Sequence, residues 1–577
     1  MKIEKMRLKN FRCFGNAVTE LEFDQILTTL VGSNGSGKTA VFKALSRLFG
    51  TSPTQRTIQK RDFHISGTQS QLQSGEELFI EAIFIFPELT SQSDPSWGAV
   101  PEFFNQMIAS GEGEPLKARM RLQAIWTDDG TPEGNIDESI RWVRTLNDDF
   151  DWTDCPNVQP VERSSIQFIY LPANRDASTQ VTALLKGRLW LAAKWSTAFR
   201  EETVRNADTI QNAFDNEKPT KFLISSLTRF WHQVYEADTD RIPCLKLVEK
   251  HFDDLVRKAE FVFVPDEAGC EHHLSELSDG QRSLFHIALT AATLTSEMEV
   301  FNLSHDTCSF EIDKLHHVYL TILAVEEPEN CLSPFFLSRI TRLSREIGIL
   351  PTAQVILSSH SPVILSRIEA TEVRYLRMEQ KDRCSSIRQL SLPEDDEEAS
   401  RYIRLAVKAY PEIYFARFAV LVEGDSERII IPFLAEKMGI ALDPSFVPIV
   451  PLGGRYVSHF WKLLNDLRIP YATLLDLDLG RKHGGIKMIE KCFDNLVVTG
   501  NQFWNDPNYH SSNVHPDSIE NMSDTDILNK TFKDEWLPTF QKQGIFFSYP
   551  IDIDFSMLLA FPEIYHVPNL GSADTNF

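Results

Sequence analysis

Eight residues near the amino terminus, Gly32-Ser33-Asn34-Gly35-Ser36-Gly37-Lys38-Thr39, fit G-x-x-x-x-G-K-[ST] in full and limit what this chain can fold into more than any other stretch. The apolar run Leu27 to Val31 just before it predicts a strand. Thr39 to Phe49 just after it, with Val41, Phe42, Ala44, Leu45 and Leu48 at helical spacing, predicts a helix. A strand, a glycine loop and a helix N-terminus form a phosphate cradle, so the chain is expected to be an α/β protein that binds a nucleoside triphosphate. The loop residues Asn34, Gly35, Ser36 and Gly37 bring backbone N–H groups around phosphate oxygens. Lys38 reaches the β- and γ-phosphates, and Thr39 offers a hydroxyl to Mg²⁺.

Composition sets the limits around this core. With 577 residues, 42% of them hydrophobic and 24% charged, the chain can bury two or three domain cores. Met1 to Leu8 lacks the apolar core of a signal peptide, and no run of about 18 uninterrupted apolar residues follows, so a cytoplasmic protein without a membrane partner is expected. Eight cysteines without a CxxC pair suggest neither a disulfide framework nor a zinc cage. The formal charge of −23 excludes nucleic-acid binding through a uniformly basic surface. Contact with DNA would have to use local patches, such as Lys2, Lys5, Arg7, Lys9 and Arg12 or Arg481-Lys482-His483, together with bound cations. The competing reading of each patch is a solvated charged face.

Along the chain, residues 1–177 read as the first part of the nucleotide-binding core, with buried strand patterns at 78–86 and 167–171 continuing one mixed sheet. Residues 178–260 turn helical, as in Leu184 to Leu191, and read as an insertion and dimerisation arm. Sheet signals return within 261–390, at Val318 to Val325 and Gln354 to Leu357. The acidic run Glu394 to Glu398 marks a linker over 391–415. Residues 416–577 begin a new βαβ rhythm with Phe418 to Val422 and Ala472 to Leu475.

Further motifs specify the first core. Tyr319 to Val325 is an apolar strand ending in Glu326 and Glu327, placed where α/β sheets bind ligands: Glu326 would hold Mg²⁺ and Glu327 would polarise water. Leu277-Ser278-Asp279-Gly280-Gln281 is similar to the LSGGQ signature of ABC ATPases, although Ser278 taken alone reads better as an ordinary helix N-cap. That resemblance implies that Ser278, Gly280 and Gln281 of one subunit meet ATP held by the P-loop of another, and hence a homodimer or higher homo-oligomer. It also makes His360, after the next strand, a switch histidine that senses the γ-phosphate. Asn10-Phe11-Arg12 and Glu326-Glu327-Pro328-Glu329 resemble the openings and carboxylate motifs of RecF and SMC ATPases.

The second core carries its own set. Val420-Leu421-Val422-Glu423-Gly424-Asp425-Ser426-Glu427, the glycine turn Leu452-Gly453-Gly454-Arg455 and Leu474-Leu475-Asp476-Leu477-Asp478 resemble, in order, the Toprim motifs. Glu423, Asp476 and Asp478 at adjacent strand ends concentrate charge that hard cations such as Mg²⁺ or Mn²⁺ neutralise, with Glu427 able to add to them. Ile545 to Asp554 reads as a late strand ending in Asp552 and Asp554, further metal candidates.

An ABC-type ATPase head with a helical insertion, followed by a Toprim α/β domain, resembles the OLD family of ATP-dependent endonucleases, which includes the Gabija nuclease subunit. The resemblance implies metal-dependent DNA cleavage in antiphage defence, catalytic roles for Glu327, His360, Glu423, Asp476 and Asp478, and room for a helicase or other defence partner. Two departures stand out. No lysine follows Lys542, where related nucleases use one near the carboxyl end, and Ser333 precedes Pro334 where related ATPases place histidine. The alternative is an ATP-driven DNA-binding or sensor protein of the RecF/SMC type with a non-catalytic Toprim domain. A primase or topoisomerase lacks its partner modules here.

Overall fold

The long apolar run at 76–86 becomes a strand, but it pairs antiparallel with the amino-terminal strand instead of joining the phosphate-binding strands. The computed structural model describes residues 1–67, 71–87, 106–108, 114–173, 192–234, 243–249, 251–264, 271–302, 309–311, 318–330, 332–379, 382–390, 400–401, 404–405, 408–452, 457–506, 514–520 and 522–565. They divide into two compact units, Met1–Thr28 with Thr39–Ser359 and Thr29–Lys38 with His360–Phe577.

In the first unit the chain runs through β1 (Lys2–Lys9), β2 (Thr19–Glu22), the start of β3 (Leu27–Val31), β4 (Glu76–Phe86), β5 (Leu116–Thr127), β6 (Asn135–Trp142) and β7 (Ile166–Leu171). It continues through β8 (Val262–Phe263), β9 (His272–His273), β10 (Leu320–Glu326) and β11 (Ala353–Ser359). Five of these form an antiparallel sheet in the order β2-β1-β4-β5-β6. The strands β7, β10 and β11 are parallel neighbours, with β10 in the middle. Every residue of β10 and β11 is buried, as parallel strands covered on both faces require. The expectation of one mixed sheet is therefore corrected: 78–86 and 167–171 lie in different sheets, because an apolar run does not encode its pairing partner.

The amino-terminal basic patch is also corrected. Lys2 is buried and donates to the carbonyls of Gly348 (2.9 Å), Leu350 (2.9 Å) and Ala353. Arg7 sits between Glu81 and Asp148, at 3.1 and 2.6 Å, while Glu81, fully buried, also pairs with Arg119 (2.8 Å) and Arg121 (2.6 Å). Lys5 pairs with Glu20 at 2.9 Å and Arg12 with Asp62 at 2.7 Å. Lys5 through Glu20, and Arg7, Arg119 and Arg121 through the buried Glu81, tie the antiparallel sheet together, since a buried carboxylate must be paired, whereas Lys2 and Arg12 are held by groups outside that sheet. Of the expected helical insertion, 184–191 lies outside the described residues, and Thr197–Asn216 and Lys218–Val234 are helices.

In the second unit the end of β3 pairs in parallel with β12 (Val373–Glu379), which pairs antiparallel with β13 (Cys384–Gln389). The strands β14 (Ala419–Val422), β15 (Ile449–Pro451), β16 (Tyr471–Asp476) and β17 (Ile545–Ser548) form an all-parallel sheet in the order β15-β14-β16-β17. The chain leaves β14 for β15 on one side and later returns to place β16 on the other. The crevice between the ends of β14 and β16 is thus a topological switch point, where open α/β sheets bind ligands. Helices Val457–Asp466 and Ile486–Val498 bury Phe460, Trp461, Leu464, Ile489, Phe493 and Leu496. Trp461 also donates to the Thr473 hydroxyl on β16 at 2.7 Å. The acidic run 394–398 and residues 453–455 of the glycine turn lie outside the described residues. Among the described residues no helix is long and apolar enough to cross a membrane.

Candidate functional site

Two groups of carboxylates stand at carboxyl ends of parallel strands. In the nucleotide motif Gly35 and Gly37 adopt φ of +80° and +105°, values that admit glycine and turn the loop so its amides can point inward. Lys38, buried, donates to the carbonyls of Gly32 (2.7 Å) and Ser33 (3.0 Å) within its own loop, while the buried Ser36 hydroxyl has no hydrogen-bond partner. An unpaired buried hydroxyl in such a loop is a donor left for a ligand oxygen.

One residue on, the Thr39 hydroxyl donates to Glu326 Oε1 at 2.5 Å. Glu326, buried at the end of β10, accepts from the Tyr170 hydroxyl and from the Ala173 N–H (3.4 Å) through its other oxygen. Threonine hydroxyl and carboxylate are the hard oxygen donors that Mg²⁺ takes, so this pair fits the ion expected there. Glu327 has φ +46°, a left-handed conformation that is costly for a side chain with a Cβ. Its N–H donates to Ser358 O (2.9 Å), and its carboxylate accepts from Asn330 (2.8 Å). His360 directly follows β11, whose last residue, Ser359, donates to Glu329 at 2.6 Å. Ser278 and Gln281 close on one another, the hydroxyl donating to the amide oxygen at 2.8 Å and the Gln281 N–H returning to the hydroxyl at 3.3 Å. The N-cap reading of Ser278 is therefore realised at the start of helix Asp279–Asn302, and Gly280 is buried in its first turn.

In the second unit the parallel pairing of β14 with β16 brings Glu423, just past the end of β14, near the end of β16, where its Oε2 accepts the Asp476 N–H at 2.8 Å. Glu427, almost fully buried, accepts the Gly424 N–H at 2.9 Å and so fixes the start of helix Asp425–Lys437. Asp476 Oδ1 is buried without a hydrogen-bond partner. Burial, followed by the negative charges of Glu423 and Glu427, pushes the Asp476 carboxyl up to about 7. Burial also raises that of Glu423, with Asp478 adding to the effect. Asp478 has φ +50°, and its N–H donates to Ile551 O at 2.8 Å.

Arg481 bridges Asp478 (2.6 Å) and Asp552 (2.8 Å). Asp552 also caps helix Ile553–Ala560 through the Phe555 N–H at 2.7 Å, and Asp554 accepts from the Ser426 hydroxyl at 3.3 Å. Glu423, Glu427, Asp476 and Asp478 thus act on one another, whereas Asp552 and Asp554 are engaged by other groups. Among the described residues no three or more His, Cys, Asp or Glu side chains are closed into a metal cage. The donor set nonetheless fits a hard divalent cation, since it is all oxygen and one buried oxygen lacks any partner.

Sequence reasoning missed Tyr170, Asn330 and Arg481 as partners of these carboxylates. Tyr170 carried a usable signal, since it lies at the end of an apolar strand, but only the pairing of β7 with β10 brings it to Glu326.

Comparison with known proteins finds similar families for both parts of the chain. Residues 27–366, more than half of the chain, match the family described as "AAA domain, putative AbiEii toxin, Type IV TA system", and residues 414–478 match "Overcoming lysogenization defect protein-like, TOPRIM domain". The chain is 29% identical over 165 residues, 27% of its length, to the OLD nuclease of Thermus scotoductus (strain ATCC 700910 / SA-01). It is 29% identical over 188 residues, 32% of its length, to Endonuclease GajA of Bacillus cereus (strain VD045). Each match spans 30% of the relative's own length. Among solved structures it is similar to an SMC head bound to the C-winged helix domain of ScpA, at 14% identity and TM-score 0.38. That match covers 68% of this chain and 99% of the other, but the score is too low to add to the strand order above. The chain belongs to the AAA family matched over 27–366 and, with the second match behind it, is an OLD-family protein: an AAA/ABC ATPase domain followed by an OLD-like Toprim domain.

Proposed function

We propose that this chain is an ATP-binding, divalent-metal-dependent DNA endonuclease of antiphage defence, with the ends of β14 and β16 as its cleavage site. The observation that carries this reading is Asp476, a half-buried carboxylate pushed up to about 7 by burial and then by the charges of Glu423 and Glu427, with one buried oxygen unpartnered. Such a group gains most from a hard cation, and Mg²⁺ or Mn²⁺ accepts its oxygen donors. When bound, the cation would polarise a phosphodiester oxygen and make a bound water more acidic. Glu423, Asp476 and Asp478 would hold it, with Glu427 adding charge, and Asp552 and Asp554 would flank the site. The two relatives named as nucleases point the same way.

In the ATPase domain, Asn34 to Gly37 would wrap the phosphates, and Lys38 would exchange the carbonyls of its own loop for phosphate oxygens. Thr39 and Glu326 would share Mg²⁺, Glu327 with Asn330 would orient the attacking water, and His360 would sense the γ-phosphate. Ser278, Gly280 and Gln281 of a second copy would complete the site, so the working state would be a homodimer or higher homo-oligomer. A helicase or another defence protein would be its outside partner.

The absence of a closed three-ligand cage among the described residues favours the alternative, an ATP-driven DNA sensor with a non-catalytic Toprim domain. The test is conversion of supercoiled plasmid to nicked or linear DNA in Mg²⁺ or Mn²⁺, with and without ATP. Metal-dependent conversion by the wild type that is absent in Glu423→Ala supports the endonuclease. No conversion under any of these conditions supports the sensor.

A further inference from the structure

The loop after β16 is held unusually firmly for an exposed turn. Asp478 N–H reaches Ile551 O (2.8 Å), Leu479 N–H reaches Pro550 O (3.2 Å), Gly484 N–H reaches Arg481 O (3.1 Å) and Gly485 N–H reaches Leu477 O (2.7 Å). Gly484 packs against the turn so closely that a Cβ there would lie 1.9 Å from Asp478 O. The backbone at 478–485 is therefore fixed, and what it presents outward is Arg481, Lys482 and His483, all exposed. In a chain of net charge −23, this is a local concentration of positive charge beside a carboxylate cluster.

Arg481 spends its guanidinium on two of those carboxylates, Nη1 on Asp478 and Nη2 on Asp552, while its side chain stays 59% exposed. The carboxylates are only 22% and 16% exposed, but solvent reaches the guanidinium side and screens both pairs, so the arginine can be exchanged. A divalent cation brings twice the charge to Asp478 on a smaller, harder centre, so it displaces the guanidinium from that oxygen. The freed group keeps its place, because its loop is pinned, and its planar fork of N–H donors matches a phosphate.

We infer that Arg481 is a built-in placeholder: it occupies the carboxylates of the Toprim edge while no cation is bound, and turns to a phosphate of the substrate backbone once one is. Cation loading and phosphate binding are thereby coupled through one side chain. This rests on the endonuclease reading of the same edge.

The coupling makes opposite predictions for two ligands, which a purely structural arginine does not. Mn²⁺ binding to nucleotide-free protein is followed by calorimetry, with Glu423→Ala identifying the Toprim-edge heat. Binding of a short fluorescent DNA duplex is followed by anisotropy, with Ca²⁺ in place of Mn²⁺ to avoid cleavage. Arg481→Ala is expected to bind Mn²⁺ roughly three- to tenfold tighter, because an internal competitor is gone. It is also expected to bind duplex more weakly, with a log–log salt slope smaller by about 1. Arg481→Lys keeps the charge but not the fork and should fall between. Thermal melts of both variants report whether the loop still folds, and Arg481→Lys carries the test if the alanine variant does not. Unchanged or weaker Mn²⁺ binding by a folded variant, or an unchanged salt slope, overturns the inference. A wild type with no Mn²⁺ heat that depends on Glu423 overturns the endonuclease reading, and this inference with it.

Discussion

The end of β10 and the end of β16 are built alike and finished differently. Each parallel strand closes on a buried or half-buried carboxylate, Glu326 or Asp476, and each is followed within two residues by a carboxylate in the left-handed region, Glu327 at φ +46° or Asp478 at φ +50°. At β10, both Glu326 oxygens already have protein donors, from Thr39, Tyr170 and the Ala173 N–H. At β16, Asp476 keeps an oxygen without a donor and faces other carboxylates. A strand end whose charge is satisfied by the protein can wait for its ligand at little cost. One that gathers like charges and leaves a buried oxygen without a donor has more to gain from a cation.

That difference can be broken at either site. The largest effect is expected from Glu423→Ala, which removes one carboxylate from the edge at β14 and β16. Plasmid cleavage should fall at least about a hundredfold while ATP binding is kept, and Lys38→Ala should lose nucleotide binding. Loss of nucleotide binding in Glu423→Ala would show that the two edges are not separate sites.

Next comes Tyr170→Phe, which deletes one donor from a buried carboxylate. Denaturant titration should show a loss of about 1.5–3 kcal/mol, the usual range for a hydrogen bond to a charged group, and no loss would mean that Glu326 is as needy as Asp476. The smallest effect is a pH signature. A carboxyl whose folded pKa is raised from 3.8 to about 7 makes the folded state bind more protons than the unfolded one between those values. Stability therefore falls as pH rises through that window and levels off above it. In metal-free protein, Asp476→Asn should melt a few degrees above wild type at pH 8 and close to it at pH 4. The reverse order would show that Asp476 is stabilised as an anion.

Much of this was legible in the sequence because it was local. The loop 32–39, its flanking strand and helix, the carboxylates Glu326 and Glu327, and the strand-end positions of Glu423 and Asp476 all follow from short runs with a fixed geometry. What could not be read was pairing. The strand at 76–86 looks as apolar as a parallel core strand, yet β1 and β5 claim it. Lys2 and Arg7 look like a basic surface patch until the carbonyls near 348–353 and the buried Glu81 capture them. Arg481 was visible as a charge, but its partner Asp552 lies 71 residues on, and only the parallel pairing of β16 with β17 brings the two together.

The most direct test of the contrast is the melting temperature of nucleotide-free protein titrated with Mn²⁺. Binding to the folded state raises it in proportion to how far the ion exceeds its dissociation constant. A rise in wild type and in Thr39→Ala that is lost in Glu423→Ala and Asp476→Asn is the predicted result. A rise that survives in Asp476→Asn, or that vanishes in Thr39→Ala, would contradict the assignment of the waiting cation site to the Toprim edge.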